Sequence, residues 1–327
     1  MPGQRKTNDD TVAISVELGS SQATIALVER TGRVRQRRHA KILWNRPASA
    51  TLEPCLRAID DTLTSAKDEH LHVRGLGFVL PCSLDLTSRR PTIISALPSL
   101  NGFPLSDLLE ARYSLPATLH VDVDAAALGE YHFGAGRGLQ RLLLLSANAV
   151  VGASLLSEGR IEPAPPEYVG HICHLSVSNS GPRCSCGKRG CLNTLVTLDA
   201  VQKMLQRVVR RGDSTSVLHR LSNHEHFSFQ LLAEEAQAGD VVAAQIYTEV
   251  SRWLGAAIAR YIDTFEPNRL ILGGIFSASD LLLSGIRRSL DSHTSSRVCS
   301  MVEIATATLG KDAGLLGAAV AFLDATG

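Results

Sequence analysis

Residues 174–191 hold His174, Cys184, Cys186 and Cys191, and no other feature of the chain restricts its fold so tightly. Three thiolates and one imidazole at this spacing describe a closed tetrahedral zinc site. With no position left for water, such a metal is structural rather than catalytic. Gly187 and Gly190 let so short a loop turn back on the ion. Counting back from Cys184 selects His174 as the imidazole ligand. His171, three residues upstream, then either faces a pocket or is simply a polar loop histidine. Cys55, Cys82, Cys173 and Cys299 lack metal spacing and read as small core residues. An odd total of seven cysteines, three of them in one short loop, suits a reducing compartment better than a disulfide framework.

The 327 residues, 44% hydrophobic and 20% charged, suffice for two domains that each bury a core. A net charge of +1 gives no overall electrostatic footprint for nucleic acid or an anionic membrane. The longest apolar stretch, 142–156, is interrupted by Ser146, Asn148 and Ser154 and is too short to cross a bilayer. The polar start MPGQRKTNDD has no apolar segment of the kind a secretion signal needs. The expectation is a cytoplasmic protein with no membrane contact and no direct nucleic-acid contact.

VAISVEL (12–18) and QATIALVE (22–29) are β-rich runs joined by a short turn at Gly19–Ser21, which predicts a hairpin, extended by a third run over 34–42. A helical pattern over 52–66 and a strand over 71–81 follow, the order of an α/β domain with a mixed sheet. A helix over 105–113 is expected to open at Ser106 and Asp107. ATLHVDVDAAALGEYHFG (117–134) changes from strand to helix near Asp122, which places that carboxylate beside a helix N-terminus, either in a cleft or as a cap. Residues 141–163 read as further strands. Beyond Leu195 the chain is mostly helical, with a long amphipathic helix over 243–265. A strand, a glycine turn at Gly273-Gly274 and a helix then span 269–282, and a final strand over 301–308 precedes a closing helix.

GHICHLSVSNSGPRCSCGKRGCL (170–192) resembles the signature of the ROK (repressor, open reading frame, kinase) family. The first hairpin, LPSLNGFPLSDLLEARYSLP (97–116), VDVDAAALGEYHFGAGRG (121–138), Gly273-Gly274 and LGKDAGLLGAAVAFL (309–323) agree in order, so the resemblance covers nearly the whole chain. It implies an α/β, actin-like (ribonuclease-H-like) two-domain sugar-kinase fold with a structural zinc loop. The expected organisation is a disordered N-terminus over 1–10, an N-terminal domain over 11–116 with a closing helix 311–325 packed back on it, and a C-terminal domain over 117–310 carrying the zinc loop 174–191. Family repressors carry an N-terminal winged helix, and here the fold is expected to begin near Thr11, leaving no room for one. The resemblance also implies a homodimer or homotetramer.

By the same resemblance, Asp122 matches the catalytic aspartate that accepts the sugar hydroxyl's proton during phosphoryl transfer. Other positions depart. Glu17, followed by Gly19 and Ser21, stands where the family has Asp in its first phosphate loop, and Asn148-Ala149-Val150 replaces Gly-Thr-Gly in the second. Gly273 and Gly274, on the adenosine side, are retained. In the sugar pocket Val121 replaces asparagine, while His171 and Asn193 replace glutamates; Asp122 and His174 remain. Each sugar hydroxyl buried without its partner costs about 1–3 kcal/mol. Three readings follow: a pseudokinase or sensor binding a sugar-like or polyol ligand, an ATP- and Mg2+-dependent kinase of unusual substrate with Asp122 as base, and a repurposed enzyme using Asp122 and His171 without ATP.

Overall fold

The computed structural model describes residues 10–19, 21–43, 45–85, 88–92, 94, 97–147, 150–162, 172–290, 292 and 302–323. The chain divides into two compact units, one of residues 1–137 with 311–327 and the other of residues 138–310. Expectations for His171, Asn148, Ala149 and the N-terminus before Asp10 lie outside the described residues.

In the first unit, β1 (Thr11–Leu18), β2 (Gln22–Glu29) and β3 (Val34–Lys41) form an antiparallel meander, and β4 (His72–Leu80) and β7 (Ala117–Val121) extend it in parallel. The strand order is β3-β2-β1-β4-β7. A small hairpin of β5 (Ser83–Asp85) and β6 (Arg90–Thr92) follows β4. Side chains alternate across the sheet. Ile14, Val16, Leu76, Phe78 and Leu80 point into one core together with Leu52, Leu56 and Ile59 of α1 (Ala48–Asp68). Val79 points the other way, against Ala125 of α3 (Asp122–Phe133) and Ala318 of the closing helix, Ala313–Leu323. On that face the elements meet through small residues. A Cβ on Gly77 would lie 2.4 Å from the Ala318 carbonyl oxygen, and one on Gly317 only 1.7 Å from that of Ala125.

Residues 117–137 belong to this first unit, where the sequence reading assigned them to the second. The cause is long-range pairing: β7 registers along β4 from Leu76↔Ala117 to Leu80↔Val121. The helix α2 (Leu105–Tyr113) starts after Pro104 with no side-chain cap, so Ser106 and Asp107 lie inside its first turn instead of opening it.

The second unit repeats the plan. β8 (Arg141–Ala147), β9 (Val151–Ser157) and β10 (Arg160–Ile161) are antiparallel, and β11 (Arg269–Gly274) and β12 (Glu303–Thr306) run parallel to β8. The order is β10-β9-β8-β11-β12, the pattern of the first sheet. Helices α4 (Asn193–Val196), α5 (Leu198–Arg210), α6 (Ser216–Ser222), α7 (Phe229–Gln237), α8 (Val241–Phe265) and α9 (Asp280–Leu290) follow in the chain. Asp240 caps α8, accepting the Ala243 N–H at 2.8 Å, and its other oxygen takes the Ser216 N–H and the Thr215 hydroxyl. No helix among the described residues is long and apolar enough to cross a membrane.

Candidate functional site

In the second unit, the residues leading to α4 form a loop that closes on itself. Cys184 N–H donates to Lys188 O, Gly190 N–H to Pro182 O, and Leu192 N–H to Leu175 O. Gly190 has φ +63°, and a Cβ there would lie 1.7 Å from Ser178 O, so any side chain would open the loop. The result brings ligand atoms of His174, Cys184, Cys186 and Cys191 within 4.8 Å of one another. His174 Nδ1 is 3.3 Å from Cys184 Sγ, and Cys186 Sγ is 3.6 Å from Cys191 Sγ. A tetrahedral ion bonded at about 2.0–2.3 Å separates its ligands by about 3.5–3.8 Å, near the two separations just given. The 3.6 Å sulfur separation also exceeds the roughly 2.05 Å of a disulfide.

Asn193 heads α4 immediately beyond the loop. Its Oδ1 accepts the Val151 N–H at 3.0 Å, holding the helix start to the first residue of β9. Val150, just before that strand, is 54% exposed. Gly273 and Gly274 do not form a turn, as the sequence suggested: both continue β11, paired with Ser146 and Ala147 of β8. Gly274 has φ +60°, and its absent Cβ would sit 2.1 Å from Ala147 O. Close strand approach therefore demands glycine there whether or not a ligand binds.

In the first unit, Asp122 is the first residue of α3; Val121 occupies the cap position. The Asp122 Oδ1 accepts the Val123 N–H at 2.8 Å. Burial raises its pKa, against the lowering effect of backbone hydrogen bonds. Glu17 lies on the face of β1 that meets the closing helix, its Oε2 3.7 Å from the position of a Cβ on Gly314. Burial, then the nearby charges of Asp122 and Asp312, push the Glu17 pKa up to about 7, and Arg37 opposes them. Arg37 Nη2 donates to Asp312 Oδ1 at 2.6 Å, tying β3 to the turn before the closing helix. Gly19 N–H donates to Gln22 O at 3.0 Å, and Ser21 O accepts the Ile42 N–H, so the β1–β2 turn is fixed by its own backbone.

Sequence reasoning missed Arg37, Asp312 and His120 in this neighbourhood. Strand register was the available signal for the last: Glu17 pairs with Val79, and Val79 with His120, so the three share a row across the sheet. Burial lowers the His120 pKa to about 4, which keeps the ring neutral, and its Nε2 lies 2.9 Å from Thr118 Oγ1.

The ROK family model matches residues 13–325. A glucokinase of Thermotoga maritima is 28% identical over 308 residues, 94% of this chain and 95% of that enzyme. The crystal structure of a ROK family glucokinase from Streptomyces griseus in complex with glucose and AMPPNP matches with a TM-score of 0.76 at 26% identity, covering 96% of this chain and 99% of that one. A ROK family transcriptional regulator, a homologue of the E. coli MLC protein, is alike in fold, with a TM-score of 0.85 at 24% identity over 97% of this chain and 80% of that one. The architecture is thus an α/β sugar-kinase-like fold with a candidate His/Cys metal-binding loop. From the hairpin of its first sheet to its closing helix, the chain belongs to the ROK family.

Proposed function

We propose that this protein binds a small sugar-like or polyol ligand and that its phosphoryl-transfer chemistry is lost or much altered, making it a pseudokinase or ligand sensor. The departures from the family's phosphate loops at Glu17 and at Asn148-Ala149-Val150 carry the reading. A carboxylate at this position in a kinase of this family would serve the metal side of the nucleotide; Glu17 is one methylene longer than the family's aspartate, and Asn148-Ala149-Val150 lacks the hydroxyl of the second loop. With Gly19, Gly273 and Gly274 retained and Ser21 keeping a hydroxyl, Glu17 and Asn148 are the positions that fit Mg2+ and ATP poorly. Val121, Asp122, His171, His174 and Asn193 remain the residues proposed for the ligand side.

A kinase of unusual substrate is the second reading, favoured by the partly buried Asp122 whose raised pKa suits a general base. Calorimetry with Mg-ATP separates the two. The expected result is no micromolar nucleotide binding, together with a rise in melting temperature on adding one member of a sugar and polyol panel. Micromolar ATP binding with ADP release that disappears in Asp122→Asn overturns the pseudokinase reading.

The proposal takes His174, Cys184, Cys186 and Cys191 as ligands of a structural zinc ion, whose chemistry would be to hold the loop rather than to react. It also takes the two sheets, alike in order and strand sense, as ribonuclease-H-like domains of an actin-like fold. The protein would act in the cytoplasm as a homodimer or homotetramer.

A further inference from the structure

The cations of this chain are unevenly placed. Residues 30–46 contain Arg30, Arg33, Arg35, Arg37, Arg38, Lys41 and Arg46 and no acidic residue, in a protein whose net charge is only +1. The centre of this run is β3, the terminal strand of the first sheet. One edge of β3 bonds to β2; no strand pairs with its other edge among the described residues. Arg35 reaches Glu29 and Glu69, and Arg37 reaches Asp312. Arg33, Lys41 and Arg46 are exposed and have no ionic partner among the described residues.

The two faces of β3 differ. Gln36 and Arg38 point to α1, where both reach Ser65, and Ala40 is buried on the same side. By alternation, Arg37, His39 and Lys41 point to the opposite side; Arg35 sits where the β2–β3 register shifts and reaches Glu29 and Glu69, the latter at the end of α1. Between β3 and α1 lies a groove of about 560 Å3 whose apolar lining is Ala40, Leu43, Ala50, Pro54 and Ala58. Leu43 is 40% exposed in it. Asp61 and the Glu53–Arg57 ion pair also border the groove.

A free strand edge, a row of cations on one side and an apolar groove on the other match one kind of occupant. A chain added to a sheet edge gains main-chain hydrogen bonds, and its side chains fall alternately on the two faces. We propose that the β3 edge binds an extended acidic segment of a partner protein as an added strand, with small apolar residues toward the groove and carboxylates toward Lys41 and Arg37. A second copy fits badly, since pairing β3 with itself sets arginines against arginines. Nucleic acid fits less well too, because it would leave the apolar groove and the free strand edge without a role.

The test uses the full chain and a blocked, fluorescent peptide of alternating glutamate and valine. Binding is expected, weakened about tenfold or more by Lys41→Glu and by Leu43→Glu, and weakened on adding salt. A peptide methylated on alternate backbone nitrogens should lose binding, because its strand hydrogen bonds are gone. Hydrogen exchange should show new protection confined to residues 34–43. The proposal is overturned by any of four results: no binding at millimolar peptide, equal binding of the methylated peptide, equal or tighter binding of a lysine–valine peptide or duplex DNA, or a dimer of the chain that Leu43→Glu dissociates. Thermal melts of both variants, expected within a few degrees of the parent, exclude unfolding as the cause of a loss.

Discussion

Glutamine in place of Glu17 should stabilise the protein, and the gain should depend on pH in a calculable way. The folded carboxyl titrates at about 7 against an ordinary value of 4.5. Between those values the native state keeps a proton that the unfolded chain has released, so stability falls as pH rises across that window. The loss is absent below about pH 4.5 and complete above about pH 7. A shift of roughly 2.5 units at about 1.4 kcal/mol each gives about 3 kcal/mol as an upper figure, and relaxation with solvent screening brings it to about 1–2 kcal/mol. Urea unfolding of the parent and Glu17→Gln at pH 5, 6, 7 and 8 isolates the effect, since every other titrating group is common to both. The advantage of Glu17→Gln should be smallest at pH 5 and should reach its plateau by pH 8. Its growth should shrink in an Asp122→Asn background, because part of the Glu17 shift comes from that neighbour. A stability difference constant within about 0.5 kcal/mol from pH 5 to pH 8 would refute the burial and charge crowding assigned to Glu17.

Cys184→Ser should leave less than half an equivalent of zinc per chain by mass spectrometry of protein never exposed to chelator, and should lower the melting temperature; full zinc retention would count against the four-ligand assignment. Gly317→Ala, whose Cβ would lie 1.7 Å from Ala125 O, should cost more than about 2 kcal/mol in urea unfolding, because two helix backbones must separate. Asn193→Ala leaves the Val151 N–H without its acceptor and should cost about 1–3 kcal/mol, with Asn193→Asp recovering most of it; equal stability of the two variants would show that the bond has no net effect.

The candidate metal-binding loop was legible because its histidine and cysteines are close in the chain and chemically distinctive. Gly190 could be flagged there for flexibility, although only the fold shows Ser178 O filling the space beside it. The first hairpin was equally legible from alternation. Gly273 and Gly274 were not: a glycine pair reads the same whether a phosphate or the end of β8 approaches it. Asn193 read as an altered ligand residue, and its bond to Val151 spans a stretch of chain that no local pattern encodes. The sequence offered Asp122 two roles, base or cap; with Val121 at the cap position, its carboxylate sits at the start of the helix beside Glu17.

By itself the sequence determined the family, the candidate metal-binding loop, much of the order of elements and the points at which the chain departs from the family's kinase pattern, because each is a matter of residue type at short spacing. Tertiary structure alone decided that residues 117–137 join the first unit, that the second sheet repeats the order of the first, and that Glu17, Asp122, Asp312 and Arg37 share one neighbourhood. Strand register and burial bring those groups together across long stretches of chain, and desolvation then changes their chemistry, which no property of the separate residues contains.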